Sequence, residues 1–479
     1  MNHHNLASLG YSALEQIEVW AVSLEQISLR IAIFGCGHAG LVTGICLSSI
    51  GHHVVLFDQD TELVRSLEKG RLPIYELHLD KLFQRCRSER ALSISQHWEQ
   101  AASEAEIVFL CITVPQLDNG ESDFAALDSA AAQIARAGNI PRLAVLRSTV
   151  PVQTGKQLRH VLTAYCPKPD IRISIAANPQ FLREGTAVED FLHPDRILLG
   201  TEDAFSEETL REVYRPLLTP GLRCPLHPGG CPSRKFPELI LTGVQSAELI
   251  KHASNAFLAV KISYANVLAD LCERLGADIK EVTKAVGLDQ RIGSKFLEAG
   301  IGFGGPRLPV HLRSFCHLAE QVGVEAGILR AAEEVNRSRV ALLFPKIQNS
   351  LWVLRDKRIG LLGLAHKSGT DDVRGSPAIE LLMRLSVAGA EVRAFDPQAM
   401  AKARAAFPRL VCGLDAYEVA HQAEALILAT NWPEFNNIDW KRVHDIMARP
   451  VVFDGRNLLL PNEMRALGFE YHSVGRPDC

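Results

Sequence analysis

Residues 30–35 form a short apolar run that ends in Gly35-Cys36-Gly37-His38-Ala39-Gly40 and enters a helical pattern. A second apolar run then closes on Asp58, 18 residues after Gly40. Few chain geometries admit this arrangement. Gly35 permits a tight turn out of a strand, Gly37 leaves the backbone bare where a pyrophosphate approaches, and Gly40 lets the next helix pack closely. The helix start, with the amides of His38 and Ala39, offers donors and a positive dipole to phosphate. Asp58 is expected to accept the adenosine ribose hydroxyls and to repel a 2′-phosphate, favouring NAD over NADP.

Strand-like runs continue to alternate with helical segments, the signature of a doubly wound parallel sheet. The clearest strands are 30–35, 54–58, 107–112, 143–147 and 171–176, rich in β-branched residues and Leu as befits strands buried on both faces. Residues 246–275 give a long helical pattern without Pro. A second alternation follows with runs at 358–362, 392–396, 425–430 and 451–454. The expected fold is therefore α/β, with two Rossmann-like doubly wound domains joined by a long central helix and a helical middle domain. The expected boundaries are 30–240 for an NAD-binding domain, 241–350 for a central, dimerising unit and 351–479 for a C-terminal domain. At 479 residues the chain is too long for one core, which agrees.

Residues 1–29 are read separately. Leu6, Leu9, Ala13, Ile17, Trp20, Leu24 and Ile27 recur at helical spacing, which predicts one amphipathic helix. The stretch lacks Lys and Arg up to Leu29, which excludes an ordinary signal or transit peptide. A docking helix and an accessory or even untranslated upstream extension both fit.

Charge and cysteine usage exclude several classes. A net charge of −4 with mixed signs leaves no footprint for nucleic acid or an anionic membrane, and no apolar run reaches the roughly 18–20 residues of a membrane span. Eleven cysteines, among them Cys36, Cys46, Cys111 and Cys272 in apolar segments, read as reduced thiols of a cytoplasmic protein. Cys224 and Cys231 flank a Pro/Gly-rich loop with one intervening histidine. Without a second cysteine pair the loop is read as incidental, and no metal is expected.

Lys251 and Asn255 lie four residues apart on the long helix and so share one face. An ammonium and a carboxamide converging on an alcohol can orient it and stabilise the alkoxide that precedes hydride loss. The small and apolar residues around them, such as Ala247, Leu249, Ile250, Ala253 and Ala256, argue against a merely solvated pair.

These motifs resemble the UDP-glucose/GDP-mannose dehydrogenase family, and the resemblance covers nearly everything from Arg30 to Arg476. Pro73-Ile74-Tyr75-Glu76, Ser148-Thr149-Val150-Pro151 and Asn178-Pro179-Gln180-Phe181-Leu182-Arg183-Glu184-Gly185 follow the family's order. So do Gly287-Leu288-Asp289-Gln290-Arg291-Ile292-Gly293 and the glycine loop Gly302-Phe303-Gly304-Gly305-Pro306-Arg307-Leu308-Pro309-Val310-His311. Beyond them come Lys367, Thr370-Asp371-Asp372-Val373-Arg374, Ser376-Pro377, Thr430-Asn431-Trp432-Pro433 and Asp454-Gly455-Arg456-Asn457.

The resemblance implies oxidation of a sugar C6 alcohol to a carboxylate with two NAD molecules, through an aldehyde captured by a cysteine as a thiohemiacetal and a thioester cleaved by water. It places Thr149, Glu184, Lys251 and Asn255 around the reacting carbon as catalytic residues. Phe181, Leu182, Arg183, Phe303, Gly304, Lys367 and Arg456 are implied to contact the sugar nucleotide within the chain, and Arg291 to reach the substrate of a neighbouring subunit. Arg374 and Thr149 are implied to lie at the cofactor. A homodimer or higher homo-oligomer and a UDP-sugar substrate are expected.

The departures cluster on the second half of that reaction. The family's loop runs Gly-Phe-Gly-Gly-Ser-Cys-Phe-Pro-Lys-Asp, so Arg307 stands in place of the cysteine, Val310 of the lysine and His311 of the aspartate. Gln180 replaces a glutamate, and Leu63 a basic residue after the ribose-binding aspartate. A guanidinium is protonated and non-nucleophilic, and Cys316, nine residues on, is a poor substitute. Three readings follow. The favoured one is a nucleotide-sugar oxidoreductase limited to the alcohol step or acting at another carbon. The others are a non-catalytic binder of NAD or a UDP-sugar, and a hydroxy-acid dehydrogenase with Arg307 as carboxylate clamp.

Overall fold

The computed structural model describes residues 28–115, 122–137, 142–167, 173–220, 223–231 and 236–477. The helix expected over residues 1–29 falls, but for Ser28 and Leu29, outside the described residues.

The first sheet comprises β1 (Arg30–Phe34), β2 (His53–Phe57), β3 (Leu92–Ser95), β4 (Ile107–Leu110), β5 (Arg142–Leu146), β6 (Ile173–Ala177), β7 (Arg196–Gly200) and β8 (Glu238–Thr242). They lie in the order β3-β2-β1-β4-β5-β6-β7-β8. All neighbours run parallel except β6 and β7, which meet antiparallel at Ala177 and Gly200. Side chains alternate across the sheet. Ile31 and Ile33 enter one core and Ala32 and Phe34 the other, so β1 is covered on both faces. The chain reverses direction of winding between β1 and β4, and the crevice beyond their C-terminal ends is where such sheets take ligands.

The central helix, Val244–Leu275, is the spine between the two sheets. Its first turns pack Val244 and Ala247 against Ala177 and Leu198 of the first sheet. Further along, Ala256 and Ala259 meet Leu312 of the helix Leu308–Gln321 and Ala332 of the helix Gly327–Leu351. Near its end Ala265 and Ala269 pack on Ile279, Ala299 and Val474, and Gly276, at φ 73°, turns the chain away.

The second sheet comprises β9 (Arg358–Leu362), β10 (Glu391–Phe395), β11 (Val411–Cys412), β12 (Ala425–Leu428), β13 (Val451–Asp454) and β14 (Glu470–Ser473). Its order is β11-β10-β9-β12-β13-β14, parallel throughout. Both sheets thus reverse beside their first strand, and both place an aspartate at the end of the second. Asp58 Oδ2 accepts the Cys36 amide at 2.6 Å. Asp396 Oδ2 accepts the Leu364 and Ala365 amides at 2.7 and 3.0 Å. The expected boundary at 240 falls inside β8, and the one at 350 falls in the last turn of the helix Gly327–Leu351. No helix among the described residues is long and apolar enough to cross a membrane.

Candidate active site

The glycine turn sits at the reversal between β1 and β4. Gly35 adopts φ 99°, and a Cβ there would come within 2.8 Å of the Cys111 carbonyl oxygen. Gly40 abuts the carbonyl of Gly35, whereas a Cβ on Gly37 would meet nothing within 4 Å. That combination, tight beneath and open above, suits a backbone that a dinucleotide must approach. The helix His38–Ser49 begins there.

His38 is the first link in a chain of polar contacts that crosses the cleft. Its Nε2 is 2.8 Å from Glu76 Oε2. The buried Glu76 carboxylate also accepts the amides of Gly185 and Ala187, each at 2.9 Å, and so fixes the loop that carries Glu184. On the other side His38 Nδ1 lies 3.0 Å from Arg307 Nη2. Arg307 further donates to the Leu182 carbonyl at 2.7 Å, and its Nε is 3.4 Å from Glu184 Oε1. Beyond Glu184, His366 Nε2 lies 3.7 Å from Oε2, and the Lys367 ammonium donates to the Glu184 carbonyl.

Lys251 and Asn255 emerge from the central helix into the same cleft, both buried. Lys251 Nζ is 3.4 Å from Asn255 Oδ1, and Asn255 Nδ2 donates to His311 Nδ1 at 2.5 Å. Burial pushes the Lys251 ammonium down to about 7, with repulsion from the Arg307, Arg147 and Arg196 guanidiniums adding to it. Burial likewise holds His311 well below the usual imidazole value, reinforced by Lys251, His252 and Arg307. A neutral His311 is the acceptor that the Asn255 amide requires. Lys251 also lies 5.0 Å from the centre of the Phe181 ring, whose face carries Arg196 at 4.0 Å. Thr149 and Lys251 share a small cleft with Ser148, Val150 and Pro179.

The glycine loop closes the cleft from the middle unit. Asn336 clamps Phe303 through its amide and carbonyl, at 2.8 and 2.9 Å. Gly304 leaves no room for a side chain against the Gly375 carbonyl, and the Gly305 amide donates to the Arg374 carbonyl at 3.0 Å. From the second sheet, Arg456 donates to Ala429 and Gly302 carbonyls at 2.7 and 2.8 Å. Its remaining terminal nitrogen, Nη2, is buried without a partner. Burial draws the Arg456 guanidinium down to about 10.

The structure therefore gathers Gly35, Gly37, His38, Ala39, Gly40, Asp58, Phe181, Leu182, Glu184, Lys251, Asn255, Phe303, Gly304, Lys367 and Arg456 around one crevice, with Thr149 beside Lys251. Three residues stand apart. Arg183 turns outward onto Asp190, with its Nη2 2.6 Å from Oδ1. Arg374 forks onto Asp372 with most of its side chain exposed, at the rim. Arg291, with 88% of its side chain exposed, pairs with Asp289 away from the crevice. Sequence reasoning missed His366 and Asn336. His366 adjoins Lys367 and was findable from that neighbour, whereas Asn336 sits inside a helix with no local signal.

The thiols near the cleft are poor nucleophiles. Cys36 and Cys111 lie beneath the glycine turn, and burial pushes Cys111 up to about 12. Cys316 is buried in the helix Leu308–Gln321, and burial, then Glu333 and Glu320, raises it.

Comparison with known proteins places these features in context. Residues 29–218 match the NAD binding domain of the UDP-glucose/GDP-mannose dehydrogenase family, 245–338 its central domain and 360–461 its UDP binding domain. The UDP-glucose 6-dehydrogenase of Rickettsia bellii is 37% identical over 450 residues, spanning 93% of this chain and 99% of its own. That of Rhizobium meliloti is 37% identical over 94% of this chain and 100% of its own. The structure of a UDP-glucose dehydrogenase from Pyrobaculum islandicum superposes with a TM-score of 0.84 at 32% identity, covering 95% of this chain and 99% of that one.

Proposed function

Because the chain belongs to the UDP-glucose/GDP-mannose dehydrogenase family and is an NAD-dependent nucleotide-sugar dehydrogenase, we propose that it oxidises a UDP-sugar alcohol and stops at the aldehyde. The open Gly37 above a tight Gly35 fits the pyrophosphate, and Asp58 fits the adenosine ribose. Bound there, NAD supplies the hydride acceptor.

The residues of the chain do the rest. Lys251, drawn down to about 7, has a neutral fraction near neutral pH that can take the hydroxyl proton as the C–H bond breaks. Asn255 steers that amine through Oδ1, and His311 fixes the amide's orientation by accepting from Nδ2. Arg456 keeps one buried donor free, and Lys367 and Arg456 together give the cleft the positive charge a nucleoside diphosphate needs. Thr149 and Glu184 flank the reacting carbon, with Phe181, Leu182, Phe303 and Gly304 as its walls. Arg374, at the rim, is assigned to the cofactor phosphates once its fork leaves Asp372.

The observation that carries the early stop is Arg307. Its guanidinium is anchored by Leu182 and His38 beside Glu184, in the loop position where the family places a thiol, and it cannot form a thiohemiacetal. Gln180 supports the same stop, since its Oε1 is engaged by the Leu182 amide at 2.7 Å. Incubation with NAD and a panel of UDP- and GDP-sugars, followed by absorbance and product mass, tests the reading. An aldehyde or its hydrate is expected, and a product of unchanged mass with every sugar would overturn it.

Assembly and location complete the proposal. Leu249, Phe257, Tyr264, Val267, Leu271 and Leu275 are exposed along the central helix, an apolar stripe suited to a second copy of the chain. In such a homodimer, Arg291 is assigned to the partner's pocket once its fork leaves Asp289. The unpaired thiols Cys36, Cys46, Cys111 and Cys272 support a cytoplasmic setting.

A further inference from the structure

Away from the cleft, four metal-binding side chains converge at the edge of the first sheet. His193 ends the helix Ala187–Leu192, while Cys224, His227 and Cys231 come from the connector between the helix Ala204–Leu218 and β8. One ligand atom from each lies within 4.8 Å of the others. His193 Nε2 is 3.3 Å from Cys224 Sγ and 3.0 Å from Cys231 Sγ, and His227 Nδ1 is 3.5 Å from Cys224 Sγ. Counted along the sequence, the loop offers one histidine between two cysteines and reads as metal-free. The fold supplies His193, 31 residues before Cys224.

Hydrogen bonding alone accounts poorly for this packing. A neutral imidazole nitrogen has one lone pair, yet two sulfurs converge on His193 Nε2. A tetrahedral zinc ion, with Zn–S near 2.3 Å and Zn–N near 2.0–2.1 Å, would set N···S edges of roughly 3.6 Å. The three separations fall a little short of that value, within reach of small side-chain adjustments. The surroundings also favour coordination. His193 Nδ1 is buried and lies 3.2 Å from Glu189 Oε1, at an angle short of a hydrogen bond. A slight ring rotation would make that contact the carboxylate–histidine support usual behind a metal ligand, and leave Nε2 bare. The turn is tight, with the His227 amide 3.2 Å from the Cys224 carbonyl and Gly230 at φ 128°.

We infer that His193, Cys224, His227 and Cys231 bind one structural zinc ion. Binding releases the two thiol protons to solvent, and two thiolates with two neutral imidazoles balance the ion's double charge. Four protein ligands fill a tetrahedron and leave no position for substrate, which separates this site from the oxidation chemistry. The ion would staple the connector leading into β8 onto the segment that also carries Glu184 and Asp190.

The test uses the full chain, expressed without a histidine tag and purified without chelator. Elemental analysis should find about one zinc per chain, released stoichiometrically when an organomercurial titrates the thiols. Cys224→Ser and Cys231→Ser should each lose the metal, and cobalt(II) added to metal-stripped protein should give the intense visible bands of tetrahedral thiolate coordination. Chelation of the wild-type protein should lower its Tm, a readout that does not require the variants to fold. Protein free of zinc with reduced thiols and no cobalt bands would overturn the inference. So would a Cys224–Cys231 disulfide in unreduced peptide maps, or zinc retained undiminished by both serine variants.

Discussion

Two residues in the cleft show how burial and neighbours decide what a side chain can do. Asp58 spends one oxygen on the Cys36 amide at 2.6 Å and the other on the Asp60 amide at 3.0 Å, which holds a carboxylate at the mouth of the glycine turn. NAD is therefore expected to bind more tightly than NADP, and Asp58→Ala to narrow the gap. Equal affinities for the unaltered protein in titration calorimetry would defeat the assignment. Lys251 makes a prediction in pH. Its free value is near 10.4, and burial brings it to about 7. Between those values the folded chain holds fewer protons than the unfolded one, so the cost of burying the amine eases as pH rises from 7 and stability increases. Below 7 both states carry the charge and the full cost stands. If the neutral amine accepts the alcohol proton, kcat/KM should climb about tenfold per pH unit up to a break near 7, and Lys251→Ala should lower kcat by about 10²–10⁴. A flat profile from pH 5 to 9 would remove Lys251 from that role.

At the scale of elements, legibility followed the reach of the signal. β1, β2, β4 and β5 were readable to within a residue or two, because buried parallel strands are short apolar runs bounded by turn residues. The central helix was readable because nothing interrupts it. β3, at Leu-Ser-Ile-Ser, and the two-residue β11 are too short or too polar to register, and β7 and β8 extend the sheet past an antiparallel join that no local pattern announces. The crevice was legible where motifs are contiguous, as at the glycine turn and the loop 302–311. Contacts between distant elements, such as Arg307 with His38 or His193 with Cys224, were not. The central helix also carries a prediction of its own. Phe257 is 64% exposed and Leu275 78%, on one winding stripe with Tyr264, Val267 and Leu271. A dimer is expected by light scattering at micromolar concentration, and Phe257→Glu with Leu271→Glu should shift it to monomer. If Arg291 completes a partner's pocket, Arg291→Ala should raise the Kd for the UDP-sugar and leave that for NAD unchanged. A wild-type monomer would refute both.

Across the whole molecule, three units meet at one crevice, and the extent of reaction depends on all of them. The first sheet contributes the cofactor turn and Glu184, the central helix Lys251 and Asn255, the middle loop Arg307 and His311, and the second sheet Lys367 and Arg456. In the proposed reading Lys251 and Asn255 form the proton-accepting half of that set, while Arg307, Gln180 and His311 occupy the positions of the thiol-capture half. Each of the three is already engaged. Arg307 bridges His38 and Leu182, Gln180 holds the Leu182 amide, and His311 holds Asn255. The unmodified protein should therefore yield at most one NADH per sugar. Arg307→Cys alone should not restore the acid product efficiently, because it supplies a thiol without the groups that hydrolyse its thioester, and residues acting as a unit contribute non-additively. The triple change Gln180→Glu, Arg307→Cys and His311→Asp should move the yield towards two. Counting NADH against consumed sugar, with product mass in parallel, separates the cases. Two NADH and a uronate from the unmodified protein would mean that a route without this cysteine exists. No NADH from any sugar with NAD still bound would mean that Lys251 and Asn255 are kept for binding rather than for turnover.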